Sequence, residues 1–202
     1  MSTPLAFRGK ESFHFQRRVF HLIGGSLFPI LSMVLEWETV FRLLLISSVL
    51  LVSSDALRLQ IIPLNTWVLR RGKVLLRSGE QYRLTGASYL LLGTLAAFFC
   101  FEQDIALLAV FFLAFGDPAA AVVGQRLGKG WFYGKSPFGS MAMLAVSLAV
   151  IATLHGVGAI EFKWIFVAGA LIAALVEFLP LPVNDNLTIP MSAGVLMVLL
   201  GG

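Results

Sequence analysis

Asp117 stands inside an apolar run, between Phe115-Gly116 and Pro118-Ala119-Ala120-Ala121-Val122-Val123-Gly124. A carboxylate placed in hydrocarbon is costly, so its position marks a candidate site. Asp followed by Pro is also a helix cap followed by a favoured first helical residue. The sequence therefore predicts a helix that breaks here and restarts at Pro118. Irregular backbone at such a depth belongs where it is buried in protein or lines a wet cavity.

Other polar clusters carry the same kind of signal. Arg17 and Arg18 precede His21, and Arg17 and His21 share a helical face at a spacing of four. Two cations and an imidazole at a helix mouth suit a phosphate. A glycine-rich basic loop follows Asp117, with Gly124, Gly128, Lys135, Ser136, Gly139 and Ser140 as candidate phosphate ligands. Glycines let backbone N–H groups approach phosphate, and lysine supplies charge. The loop is not a Walker A motif. The stretch between Gly130 and Gly134 is one residue short of that motif, and no strand precedes it. Glu177 lies about one turn before Leu179-Pro180-Leu181-Pro182, and Asn184, Asp185 and Asn186 lead into Pro190 as helix caps.

Asp117, Ser140 and the Asn184–Asn186 stretch thus predict three helix N-termini close together. Helix N-termini attract anions. Carboxylates at the same place repel a bare phosphate. A divalent cation resolves the conflict, because Mg²⁺ takes one or two carboxylates plus phosphate oxygens. The constellation points to a Mg²⁺-nucleotide site.

The elements that must hold these residues are membrane helices. The chain has 202 residues, a hydrophobic fraction of 58%, a charged fraction of 13% and a mean hydropathy of +0.87. A soluble domain carries roughly 25% charged residues. This excludes a soluble globule, a disordered chain and, with Cys100 as its one cysteine, a disulfide scaffold. Seven candidate spans are read at Val19–Leu35, Thr39–Ser54, Leu84–Phe101, Ile105–Val123, Met141–Gly156, Trp164–Leu179 and Leu187–Leu200. The expected fold is an all-α polytopic transmembrane bundle, one membrane-embedded domain over residues 1–202. The first span is read as retained, since no small-residue cleavage site follows it.

Charge fixes the expected orientation. Thirteen of the fifteen Lys and Arg fall on one side of this topology, which predicts a cytoplasmic N-terminus and an external C-terminus. The net charge of +4 then reads as topology and headgroup contact, with no need for nucleic acid. Residues Asp55–Arg83 alternate apolar and basic positions and predict an interfacial amphipathic connection. His14, His155 and Cys100 carry no chemical assignment, and Gly24, Gly25, Gly169 and Gly194 are expected to allow close helix packing.

In this order, the motifs resemble the integral-membrane, CTP-dependent lipid-alcohol kinases. That family includes dolichol kinase, phytol and farnesol kinase, and the fungal CTP-using diacylglycerol kinase. The resemblance rests on Arg17-Arg18-x-x-His21, Glu80-x-x-Arg83-x-Thr85-Gly86-Ala87-x-Tyr89, and Gly116-Asp117-Pro118-Ala119 with Gly124 and Gly128. Lys135-Ser136-x-x-Gly139-Ser140 and Asp185-Asn186-Leu187-Thr188-Ile189-Pro190 complete it. The small size resembles the prokaryotic, phytol-kinase-like branch. The resemblance implies transfer of the γ-phosphoryl group of CTP to the hydroxyl of a phytol- or polyprenol-type alcohol. It implies Mg²⁺ on Asp117, with Asp185 or Glu177, and CTP phosphates on Lys135, Ser136, Gly139 and Ser140. Arg17, Arg18 and His21 would stabilise the transferred group or the lipid headgroup. One of Asp117, Glu177 or Asp185 would accept the hydroxyl proton. Glu80 and Arg83 would be lipid-side or structural, and Asn184 and Asn186 nucleotide-side. The implied location is an integral membrane protein with its site at the cytoplasmic face, in the inner membrane of a prokaryote.

Two other readings compete. A CTP:phosphatidate cytidylyltransferase needs the same Mg²⁺–CTP site, but a longer acidic signature than Asn184-Asp185-Asn186 near its C-terminus. A small transporter suits broken helices, but here the polar clusters gather at one face and form no path across.

Overall fold

The computed structural model describes residues 11–72, 76, 79–127 and 135–201. Among these, all regular structure is helical. The order is α1 (Glu11–Ser32), α2 (Trp37–Gln60), α3 (Ile62–Arg71), α4 (Gly86–Cys100), α5 (Gln103–Phe111), a π turn (Phe112–Gly116), α6 (Asp117–Leu127), α7 (Pro137–Gly156), α8 (Trp164–Phe178) and α9 (Asp185–Leu199).

Helices occupy all seven expected span positions. Among the described residues, three helices are long and apolar enough to cross a membrane: Trp37–Gln60, the continuous Gln103–Leu127, and Pro137–Gly156. Such helices support an integral membrane protein. The apolar helices α4, α8 and α9 have 15 residues each, or about 22 Å at the helical rise, short of a hydrocarbon core of about 30 Å.

Asp117 does not break the helix. Its φ of −61° and ψ of −46° are helical, and its N–H donates to the Leu113 carbonyl. Pro118 has no N–H for the carbonyl four residues back, and its ring crowds that carbonyl. The wider π turn immediately before it provides the room, so the helix absorbs the proline without stopping. Local Asp-Pro chemistry predicts a cap; packing on every side of the helix leading into this step keeps the chain helical instead. Every residue from Ile105 to Ala114 is buried.

The main core surrounds this central helix, with Leu108, Phe112 and Leu113 against Met143 of α7, Phe166 of α8 and Ile189 and Met197 of α9. A second cluster joins Phe28 of α1 and Val40 and Leu44 of α2 to Ala97 and Phe98 of α4, where Trp37 stacks on Phe98 at 4.3 Å. Glycines set the tightest approaches. A Cβ at Gly25 would lie 2.8 Å from that of Ala114, and one at Gly169 would lie 2.7 Å from the Met197 sulfur. A Cβ at Gly194 would overlap the Phe101 ring. The packing role expected of these positions is what the structure shows.

The Asp55–Arg83 segment is not one amphipathic connection. Asp55 to Gln60 is the last part of α2, and Asp55 and Arg58 are buried. Among the described residues of the segment, α3 has the expected character: Ile62, Leu64 and Trp67 are exposed, and Arg71 lies over the Trp67 ring at 5.9 Å.

Candidate functional site at one end of the bundle

The long helices alternate in direction, so one end of the bundle collects the first half of α1, the end of α2, the start of α4, the end of α6, the start of α7, the end of α8 and the start of α9. The polar side chains singled out from the sequence meet there. His21 Nε2 lies 3.7 Å from Asp117 Oδ2, bringing α1 to the central helix. Arg18 Nη2 donates to Gln125 Oε1 and to the Ala121 carbonyl on α6. Lys135 Nζ donates to both oxygens of Asp185, at 3.1 and 3.3 Å, and to the Leu179 carbonyl at 3.3 Å. Ser140 donates its hydroxyl to Glu177 Oε2 at 2.6 Å. Glu177 is buried and lies within electrostatic range of Lys135, Asp117 and Asp185.

Helix N-termini do converge here, but not the expected set. Ser136 caps α7, accepting from the Gly139 N–H at 3.1 Å, with Pro137 opening the helix. Ser140 is one turn further on and is not the cap; its N–H donates to the Ser136 carbonyl. Asn184 caps α9, accepting from the Asn186 N–H at 3.0 Å. In place of Asp117, the third N-terminus is that of α4, capped by Thr85.

The candidate phosphate ligands divide. Lys135, Ser136 and Ser140 sit at the site. Gly124 and Gly139 face each other where α6 crosses α7: their Cβ positions approach Ser136 Oγ and the Ala120 carbonyl. Their close packing leaves the Gly139 N–H engaged with the cap. Gly128 lies outside the described residues. Asn186 donates its side-chain amide to the Gly86 carbonyl at 2.8 Å and so clamps α9 to α4.

Beside this clamp is a buried network that the sequence reading passed over. Arg58 donates to Asp55, to Asn65 Oδ1 at 2.7 Å, and to the Glu80 and Arg83 carbonyls, each at 2.9 Å. Asp55 also accepts from the Thr85 N–H and from the Ser88 hydroxyl. Glu80 accepts from the Gly86 N–H at 2.8 Å. The expected Glu80 and Arg83 positions therefore belong to the support of α4, Glu80 through its side chain and Arg83 through its carbonyl. The signal for Asp55 was available: it is a carboxylate at the end of an apolar run, as Asp117 is one inside such a run.

No family model and no solved structure matches the chain. Over 190 residues the chain is 27% identical to an uncharacterized protein of Rickettsia prowazekii, covering 90% of this chain and 93% of that protein. It is 30% identical over 144 residues to CTP-dependent diacylglycerol kinase 1 of Eremothecium gossypii, covering 69% of this chain and 45% of the kinase. It is 27% identical over 206 residues to CTP-dependent diacylglycerol kinase 1 of Saccharomyces cerevisiae, covering 90% of this chain and 71% of the kinase. The chain thus spans less than half of the first kinase and more of the second. Similarity to these two proteins supports a CTP-dependent lipid-kinase family for the chain.

Proposed function

We propose that this chain is a CTP-dependent kinase that transfers the γ-phosphoryl group to the hydroxyl of a membrane lipid alcohol. The observation that carries this reading is the meeting of His21–Asp117, Lys135–Asp185 and Ser140–Glu177 at one end of an apolar bundle. Phosphoryl transfer asks a protein chiefly for positioning and charge neutralisation. Lys135, Arg17, Arg18 and the N-terminal dipole of α7 supply positive potential for the CTP phosphates. Asp185 holds Lys135 in place, and His21 stands beside Asp117. The excess of Lys and Arg at this end favours the cytoplasmic face. The resemblance points to phytol- or polyprenol-type acceptors. The similar fungal kinases are named for diacylglycerol, so the proposed acceptor class is a long-chain alcohol that includes it.

Mg²⁺ belongs to the same proposal. Among the described residues, no group of three His, Cys, Asp or Glu is gathered to hold a metal. Mg²⁺ in nucleotide sites does not need one, because phosphate oxygens and waters complete one or two carboxylates. Asp117 and Asp185 fit that donor set. Mg²⁺ held there would neutralise charge on the transferring phosphates.

The test uses purified protein in detergent with Mg²⁺, CTP labelled at the γ- or α-phosphorus, and a panel of phytol, farnesol, polyprenol, diacylglycerol and phosphatidate. Label from the γ-position in an alcohol is expected. Label from the α-position in phosphatidate would replace the kinase by a cytidylyltransferase.

A further inference from the structure

An apolar groove of about 660 Å³ runs between α7 and α8, floored by Leu196 of α9. Met141 and Leu144 line it on α7, and Ala168, Leu171, Leu175 and Phe178 line it on α8. Its volume is within the roughly 300–1,000 Å³ of small-molecule sites. Pro137 and Ser140, in the first turn of α7, line the end nearest the site, and Ser140 is the residue that donates to Glu177. From Phe178 to Ala168 the groove follows α8 for ten residues, or about 15 Å. That is about half of a hydrocarbon core of about 30 Å, the depth of one leaflet. Met141, Leu171 and Leu175 are exposed on its walls, so the groove opens sideways.

We infer that this groove holds the hydrocarbon chain of the acceptor alcohol and presents its hydroxyl to Ser140 and Glu177. The inference rests on the kinase reading and adds to it the acceptor's path and the base. An apolar chain of one-leaflet length fits the walls. A hydroxyl at the Ser140 end finds a carboxylate acceptor beside the Lys135–Asp185 pair. The hydroxyl oxygen forms a bond to the γ-phosphorus of CTP, the bond from that phosphorus to the β–γ bridging oxygen breaks, and CDP leaves. The hydroxyl proton passes to the Glu177 carboxylate. Ser140 orients that carboxylate.

The experiment uses a long-chain alcohol carrying a diazirine midway along its chain, with the full-length protein in lipid nanodiscs. Photolysis and peptide mapping should place adducts on Met141, Leu144, Leu171 or Leu175. Adducts confined to α1–α3 would overturn the inference. Transfer from γ-labelled CTP to the same probe is scored in parallel. Transfer without groove adducts removes the groove and leaves the kinase reading standing. Groove adducts with no transfer to any alcohol remove the kinase reading, and the acceptor assignment with it. As a second measurement, Leu171→Trp should lower kcat/KM for a twenty-carbon alcohol at least tenfold more than for an eight-carbon one. An equal fall for both would mark Leu171 as packing only and overturn the inference.

Discussion

Lys135 reaches both carboxylate oxygens of Asp185, at 3.1 and 3.3 Å, and so ties the residue before the α7 cap to the first turn of α9. Both partners are partly exposed, at 20% and 32% of their side chains. A pair in that setting contributes little to stability, roughly 0.2–1 kcal/mol. In the proposed kinase its value is in placing a cation beside the CTP phosphates. Lys135→Met is therefore expected to leave the thermal midpoint in detergent nearly unchanged while kcat/KM for CTP falls by about 10²–10³. A large loss of midpoint with CTP kinetics intact would make the pair a structural tie.

Asp117 faces His21 across the contact between α1 and the central helix. If Asp117 carries Mg²⁺ with the nucleotide, Asp117→Asn removes a negative ligand and keeps the shape. The expected outcome is a loss of about 10²–10³ in kcat and a higher Mg²⁺ requirement. Titrating Mg²⁺ at saturating CTP checks both, and full activity of this variant at saturating Mg²⁺ would refute the assignment.

The positions of the helices were legible because the apolar runs are set off from one another by charged and turn-forming residues. Their local breaks were less so. The Asp117-Pro118 step carries a cap signature, yet the surrounding core keeps the chain helical through a π turn, a tertiary effect that no local spacing reports. Ser136-Pro137 has the same cap-then-proline signature and does cap α7, whereas the sequence reading placed that cap on Ser140. The buried Asp55 network was hidden by its setting. Arg58 counted among the basic residues of a cytoplasmic connection, so its charge looked topological and its partners, distant in sequence, could not be read. The polar residues that meet at the candidate site stood out because carboxylates are out of place in apolar sequence.

Asp55 and Arg58 make the opposite case to Lys135 and Asp185. Their side chains are only 4% and 3% exposed, and nearly every polar atom in the network has a partner. Removing one member of such a pair leaves the other charge and the Thr85 N–H without compensation. Asp55→Ala is expected to cost about 3–5 kcal/mol. Adding Arg58→Leu should recover part of that loss, because the uncompensated charge goes with it. Chemical denaturation of the two variants in the same detergent measures this, and additive losses would show that the pair acts as independent residues.

Gly139 decides between packing and phosphate binding. A Cβ there would lie 2.9 Å from the Ala120 carbonyl oxygen and 3.5 Å from the Gly124 Cα. Neither neighbour is the loose end of a side chain, so α6 and α7 must move apart to admit a methyl group. Overpacking of this kind costs typically about 1–3 kcal/mol. Gly139→Ala should therefore lower the thermal midpoint, and the folded fraction should keep a KM for CTP near the parent value. If Gly139 instead cradles phosphate, the midpoint would hold and KM for CTP would rise. Because its N–H already serves the Ser136 cap at 3.1 Å, the first outcome is the expected one.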